Sequence, residues 1–227
     1  MNREELKEYI GTTAFSLGHV EKDYFQHIIL SGFSRRLSSS LVFKGGTALQ
    51  KTGIIQRFSE DLDFTQRKNV SIQQLADIAV KSINSYNYHV EVDSFSAMKN
   101  SESCRLKIIG PLFRNNQGFC SIRLEVSKRE SILKKPLAHE LNPLYTDILP
   151  YIVSIMDTSE IAAEKIRAIL TRDKVRDVYD LYKLAEQGVE FIRYLINEKL
   201  SFYDLEFNAS SFLRRCEILS KTWKVNL

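Results

Sequence analysis

The chain has 227 residues, 44% hydrophobic and 26% charged, enough apolar content for one large packed domain or two small ones and too much for a disordered chain. Its net charge of +4 is small and dispersed, so composition permits a polyanionic partner without demanding one. Cys104, Cys120 and Cys216 are odd in number and form no CxxC pattern, which argues against a disulfide framework or zinc site and for a reducing cytoplasm. The N-terminus is polar and acidic, and the longest apolar stretch, Ile148 to Met156, is broken by Pro150 and Ser154; neither export nor membrane insertion is expected.

In chain order, Glu4 to Tyr9 reads as a short amphipathic helix. A longer one from about His19 to Leu37 places Tyr24, Phe25, Ile28, Ile29 and Phe33 on one buried face. Leu41 to Phe43 reads as a short buried strand, Gly45-Gly46 as a tight turn, and Thr47 to Lys51 as the first turns of a helix. Ser71 caps a helix from Ile72 to about Ser85. Three alternating segments follow, Tyr88 to Phe95, Cys104 to Ile109 and Phe119 to Ser127, read as adjacent antiparallel strands. Ser131 to Pro150 is a meander or excursion. From Thr158 the pattern is helical, and the cleft between the two halves is the expected ligand site.

The run from Leu41 to Phe64 carries the chemistry. Glycines at 45 and 46 let an anion approach unobstructed backbone N–H groups. Asp61 and Asp63 alternate with Leu62 and Phe64, so a strand sends both carboxylates to one face. Two carboxylates can hold divalent cations, but a two-metal site needs a further oxygen ligand. Glu125 is the candidate, because Ile122, Leu124 and Val126 line one strand face and Arg123 and Glu125 the other. The blander reading pairs Glu125 with Arg123 or Lys107.

The helical half adds a second wall. Lys165 falls inside the apolar arc of Ile161, Ala162, Ile166, Ile169 and Leu170, with Arg172 beside it, whereas Glu160, Glu164, Arg167 and Thr171 fall on the solvent-like side. Asp177 projects between Leu181 and Leu184, and Asp180 lies at the edge of that arc. A buried carboxylate needs a partner, and Lys165, Arg172 or a ligand could serve Asp177; Arg176 could pair with Asp180 on the surface. His19, His27, His89 and His139 form no H-E-x-x-H pair, and neither G-x-S-x-G nor a P-loop motif is present.

Lys44-Gly45-Gly46-Thr47-Ala48-Leu49, Arg57-Phe58-Ser59-Glu60-Asp61-Leu62-Asp63-Phe64, Glu164-Lys165 with Arg172, and Arg176-Asp177-x-Tyr179-Asp180-Leu181 together resemble the AbiEii/AbiGii-type nucleotidyltransferase-like toxins of the DNA polymerase β-like superfamily. The resemblance spans about Leu41 to Leu184. It implies a toxin of a toxin–antitoxin or phage-defence pair, neutralised by a separately encoded antitoxin; some members transfer nucleotides to the 3′ end of tRNA. By the same resemblance Gly46 and Thr47 match the phosphate-gripping turn, Asp61 and Asp63 the metal pair, Lys165 the helical lysine, and Asp177 or Asp180 the distal acidic position. Glu125 matches less closely, since the superfamily's third carboxylate is often Asp.

The expectation is therefore an α/β (α+β) fold. A nucleotidyltransferase core with a mixed or antiparallel sheet and flanking helices spans 1–156, and a C-terminal helical bundle spans 157–227. Mg²⁺ or Mn²⁺ and an NTP are the expected cofactor and substrate, RNA, tRNA first, the acceptor, and a cognate antitoxin the partner. Lys44, Gly45, Gly46, Thr47, Arg57, Ser59 and Arg172 are assigned to the nucleotide, Asp61, Asp63 and Glu125 to the metal, and Asp61, Asp63, Lys165, Asp177 and Asp180 to catalysis. An NTP-binding regulator, a phosphoryl transferase using the same site, and a non-catalytic protein-interaction module are the alternatives.

Overall fold

The computed structural model describes residues 1–13, 15–115, 117–128, 131–221 and 223. The elements run α1 (Arg3–Glu8), α2 (Leu17–Leu37), β1 (Leu41–Lys44), α3 (Gly45–Lys51), β2 (Leu62–Gln66), α4 (Ile72–Asn84), β3 (His89–Met98), β4 (Ser101–Ile109), β5 (Cys120–Ser127), β6 (Leu137–Leu141), β7 (Tyr151–Ile155), α5 (Thr158–Thr171), α6 (Val175–Glu186), α7 (Arg193–Ser201) and α8 (Ala209–Ser220). Capping fixes several starts: Asn2 and Ser71 form capping boxes with Glu5 and Gln74, and the Asp157 carboxylate accepts from the Ser159 N–H. Among the described residues, no helix is long and apolar enough to cross a membrane.

The strands form one mixed sheet in the order β3-β4-β5-β2-β1-β7-β6. Strands β3, β4 and β5 are adjacent and antiparallel, as their alternation predicts, whereas β5 meets β2 in parallel. Alternation along β1 and β2 divides the apolar residues between two layers. Leu41, Phe43, Leu62, Phe64, Leu124 and Val126 share a cluster with residues of α2 and α4, while Val42 joins Leu49, Met156 and the apolar side chains of α5, α6 and α7.

Three features differ from the sequence reading. The helix α2 is buried along most of Val20 to Phe33, not on one face, because polar groups at its back are satisfied internally. Glu21 accepts the Leu112 N–H at 2.7 Å, Asp23 accepts from Gln50 at 3.0 Å and Tyr145 at 2.9 Å, and the His27 ring meets the Tyr151 hydroxyl at 2.7 Å. The meander or excursion expected from Ser131 to Pro150 resolves into a strand, β6, that pairs with β7 as a hairpin. The apolar run from Ile148 hides a period of two: Tyr151, Val153 and Ile155 are buried and Ile152 is exposed. Strand β7 then joins β1 at Phe43↔Ile155, which delivers α5 to the sheet face that carries Val42.

Candidate active site

Strand register builds the first wall. Lys44 of β1 stands opposite Asp63 of β2, and Asp63 stands opposite Glu125 of β5, so the three side chains form one row across the sheet. Asp61 directly precedes β2. The segment before it is pinned at several points: the Gln26 amide donates to the carbonyls of Ser59 and Glu60 at 2.9 Å each, the Ser59 N–H donates to Gln50 at 3.0 Å, and the Thr47 hydroxyl donates to the Asp61 carbonyl. These bonds fix where the aspartates emerge, since a buried donor or acceptor left unpaired costs about 1–3 kcal/mol.

The glycines are dictated by close approach. Gly45 has φ +77°, and a Cβ there would lie 2.6 Å from the Asp63 carboxylate; one on Gly46 would lie 2.8 Å from both the Arg57 guanidinium and the Ser59 hydroxyl. Gly45→Ala is therefore expected to destabilise the fold by roughly 1–3 kcal/mol, from positive φ and the clash together. Thermal melting checks this; a variant melting with the wild type shows that β2 yields freely and Gly45 sets nothing.

Electrostatics mark Asp63. Burial, then the neighbouring charges of Glu125 and Asp61, push its carboxyl up to about 6. Lys44 and Lys165 offset part of this. Glu125 forms an ion pair with Arg123 at 2.8 Å, and the strand register sets it beside Asp63.

The second wall is an ion-paired layer joining α5 and α6 to the core. Lys165 Nζ lies 2.9 Å from Asp177 and 2.6 Å from Asp180. Arg57 forks onto Asp180 at 2.7 and 2.6 Å, and Arg172 onto Asp177 at 2.8 and 2.9 Å. Both carboxylates are buried. Burial opposes ionisation of Asp177, but Lys165 and Arg172 hold its carboxyl well below the usual range. Asp180 is thus taken up by Arg57 and Lys165 rather than by a surface pair with Arg176.

Glu160 and Glu164 correct the expectation of a solvent-like side on α5. Both are buried: Lys199 of α7 reaches Glu160 at 2.7 Å and Glu164 at 3.3 Å, and Lys44 reaches Glu164 at 2.9 Å. Glu160 also accepts the N–H groups of Leu133 and Lys134. Sequence periodicity around α5 cannot reveal partners on β1 and α7, although the alternation that seats Lys44 in the row with Asp63 is a local signal.

Between the walls lies a cleft of about 570 Å³, within the range of small-molecule sites. All the residues expected at the site line it except Thr47 and Asp180. Gly45 and Gly46 form the first residues of α3 rather than a separate turn before it; Thr47 is buried within that helix, where its hydroxyl fastens the Asp61 backbone, and Asp180 sits behind Lys165 and Arg57. The sequence reading misses Lys174, Arg176, Arg123 and Tyr203 as lining residues; Arg123 is signalled by its shared parity with Glu125, whereas Tyr203 follows α7 and reaches the cleft only through tertiary packing.

Asp61, Asp63 and Glu125 suit a hard divalent cation by donor type, and the upward push on Asp63 comes first from burial and then from the like charges of Glu125 and Asp61. Among the described residues, no three acidic, histidine or cysteine side chains stand ready as a closed chelate. By donor type, Asp61, Asp63 and Glu125 are the residues that would hold such a cation.

The fold has solved counterparts. MenT4, a nucleotidyltransferase toxin from Mycobacterium tuberculosis H37Rv, superposes with a TM-score of 0.63 at 22% identity, covering 88% of this chain and 68% of that one. JHP933 from Helicobacter pylori gives 0.57 at 18% identity, covering 92% and 97%. No curated protein matches the sequence. The family comparison gives the class, a nucleotidyltransferase. Residues 28–223 match the family described as nucleotidyl transferase AbiEii toxin, type IV TA system, and the chain belongs to that family of toxins from type IV toxin–antitoxin systems.

Proposed function

We propose that the cleft transfers a nucleotide from an NTP, with Mg²⁺ or Mn²⁺ bound, to a 3′-terminal hydroxyl of RNA, tRNA foremost, forming the new bond to the α-phosphorus as the bond to pyrophosphate breaks and the hydroxyl proton is lost, and that a separately encoded antitoxin counters the toxin. The observation that carries this reading is the single row of Lys44, Asp63 and Glu125, with Asp61 beside it and a glycine turn against Asp63. In this proposal the core, 1–156, supplies the carboxylates and the helical part, 157–227, the lysine wall.

The roles follow from position. Asp61 and Asp63 would hold the cation, with Glu125 as the further oxygen ligand; bound there it would supply Lewis-acid polarisation of the reacting phosphate and lower the pKa of the attacking hydroxyl. Gly45 and Gly46 leave room for phosphate oxygens against the backbone. Lys165 faces the cleft with its charge balanced from behind by Asp177 and Asp180, which makes it a fixed donor toward charge that develops on the triphosphate. Asp177 and Asp180 act as positioning residues for Lys165, Arg172 and Arg57. Arg57, Ser59, Lys44 and Arg172 border the phosphates.

Expression of the wild-type chain in bacteria is expected to arrest growth, with extracted tRNA carrying additional 3′ nucleotides, and Lys165→Met to relieve both. Arrest of equal depth by the two forms, with unaltered tRNA 3′ ends, would disconnect harm from the cleft.

A further inference from the structure

The row of Lys44, Asp63 and Glu125 does not stop at β5. Register carries it onto Ser103 of β4 and Ser96 of β3, and the next row places Arg123, Arg105 and Ser94 side by side on the same face. Beyond them Ser121 stands opposite Lys107. The apolar side chains of these strands, Leu106, Ile122 and Leu124 among them, turn to the other face and join the cluster with α2 and α4. The Glu125 face of β3–β5 is thus a polar strip of serines and mixed charges, in which Glu91 stands opposite Lys107, Arg123 pairs with Glu125 and Lys107 with Asp93. A hollow of about 200 Å³ opens in it, lined by Ser94, Ser96, Ser103, Arg105 and Arg123, and Arg123 also lines the large cleft.

A β-bulge sets the charge of this hollow. The β3–β4 register shifts between Val92 and Ser94, so Asp93 is the extra residue. In an unbroken ladder Asp93 would stand opposite Arg105. The bulge puts Ser94 there instead, and Asp93 pairs with Lys107 at 2.5 Å. Exposed Arg105 meets the Ser121 hydroxyl at 3.2 Å and no carboxylate among the described residues. Strand spacing and rise put its Cα about 8 Å from that of Glu125. An uncompensated guanidinium among small hydroxyl donors matches a phosphodiester, which offers acceptor oxygens and negative charge.

We propose that this strip binds the backbone of the nucleic-acid acceptor, with Arg105 taking a phosphate within a few nucleotides of the hydroxyl presented at Asp63 and Glu125. The identity of the acceptor rests on the transfer reading above; the strip itself does not require transfer to occur. The guanidinium of Arg105, which meets no carboxylate among the described residues, favours the phosphates of RNA over a protein acceptor.

The test is equilibrium binding of fluorescein-labelled deacylated tRNA to nucleotide-free protein, read by anisotropy across a salt series. Arg105→Glu is expected to weaken binding about tenfold or more and to make the slope of log affinity against log salt shallower by roughly 0.7–0.9, one phosphate contact. Ser96→Glu on the same strip should act in the same direction, Arg105→Lys should retain most of the affinity, and all should keep wild-type affinity for Mg²⁺–NTP. Affinity within about twofold of wild type in both Glu variants overturns the proposal, as does equal competition by polyglutamate. A wild-type protein that labels nothing yet loses tRNA on Arg105→Glu refutes transfer and keeps the strip. One that labels RNA equally well with and without Arg105 keeps transfer and refutes the strip.

Discussion

Asp63→Asn is expected to abolish nucleotide transfer, by roughly 10³-fold or more, while making the metal-free protein more stable above pH 6. The two outcomes share one cause. Asp63 is half-buried beside Glu125 and Asp61, and its carboxyl is pushed up to about 6 from an ordinary 3.8. A raised carboxyl pKa means that ionisation costs the native state more than the unfolded one. The penalty is absent below about pH 4, grows between 3.8 and 6, and is fully present above 6. A neutral amide of the same shape removes it. The gain is at most about 3 kcal/mol, at 1.36 kcal/mol per pKa unit, and several degrees in Tm, at about 2–4 °C per kcal/mol for a chain of this size. Mg²⁺ should narrow the gap by stabilising only the wild type. An inactive Asn variant that melts below wild type at pH 7.5 without metal would show that Asp63 supports the fold rather than straining it.

Asp180→Ala should destabilise the protein by about 3–5 kcal/mol, the cost of leaving buried charges without their partner. Arg57 loses both carboxylate contacts and Lys165 loses its 2.6 Å partner. Urea unfolding measures this, and the double variant Arg57→Leu/Asp180→Leu should recover most of the loss, because it removes both charges of one pair. A single-variant loss below about 1 kcal/mol would show that water enters behind Lys165. Asp177 predicts the pH dependence of the same layer. Its carboxyl is held below the ordinary value by Lys165 and Arg172, so its stabilisation is present above about pH 4 and is lost as pH falls through its depressed value.

The legible parts of the site are those in which a charged residue violates a periodic apolar pattern. Glu125 stands out because Ile122, Leu124 and Val126 fix the strand face, and Lys165 and Asp177 because helical periodicity places them among apolar neighbours. Such placements carry an energetic cost, so the pattern by itself implies a partner for each charge. What stays hidden is non-local. The parallel pairing of β2 with β5 brings together Asp63 and Glu125 from distant segments. Glu164 and Glu160 read as a solvated face because Lys44 and Lys199 lie 120 and 39 residues away. Thr47 shows a different limit. Its position at the turn suits a phosphate, but its hydroxyl faces the Asp61 carbonyl, a choice made by the packing of α3 on β2 that no local spacing encodes. The β6–β7 hairpin is concealed because an apolar run masks its alternation.

The central claim is that the cleft moves the nucleotidyl part of an NTP onto RNA. Purified protein incubated with each α-labelled NTP, Mg²⁺ and total RNA, beside the Asp63→Ala variant and parallel γ-labelled reactions, tests it most directly. The expected result is α-label on RNA, strongest on tRNA, absent with γ-labelled NTP and lost in the variant. Transfer of γ-label with no α-label on any macromolecule would contradict it and assign the cleft to phosphoryl transfer.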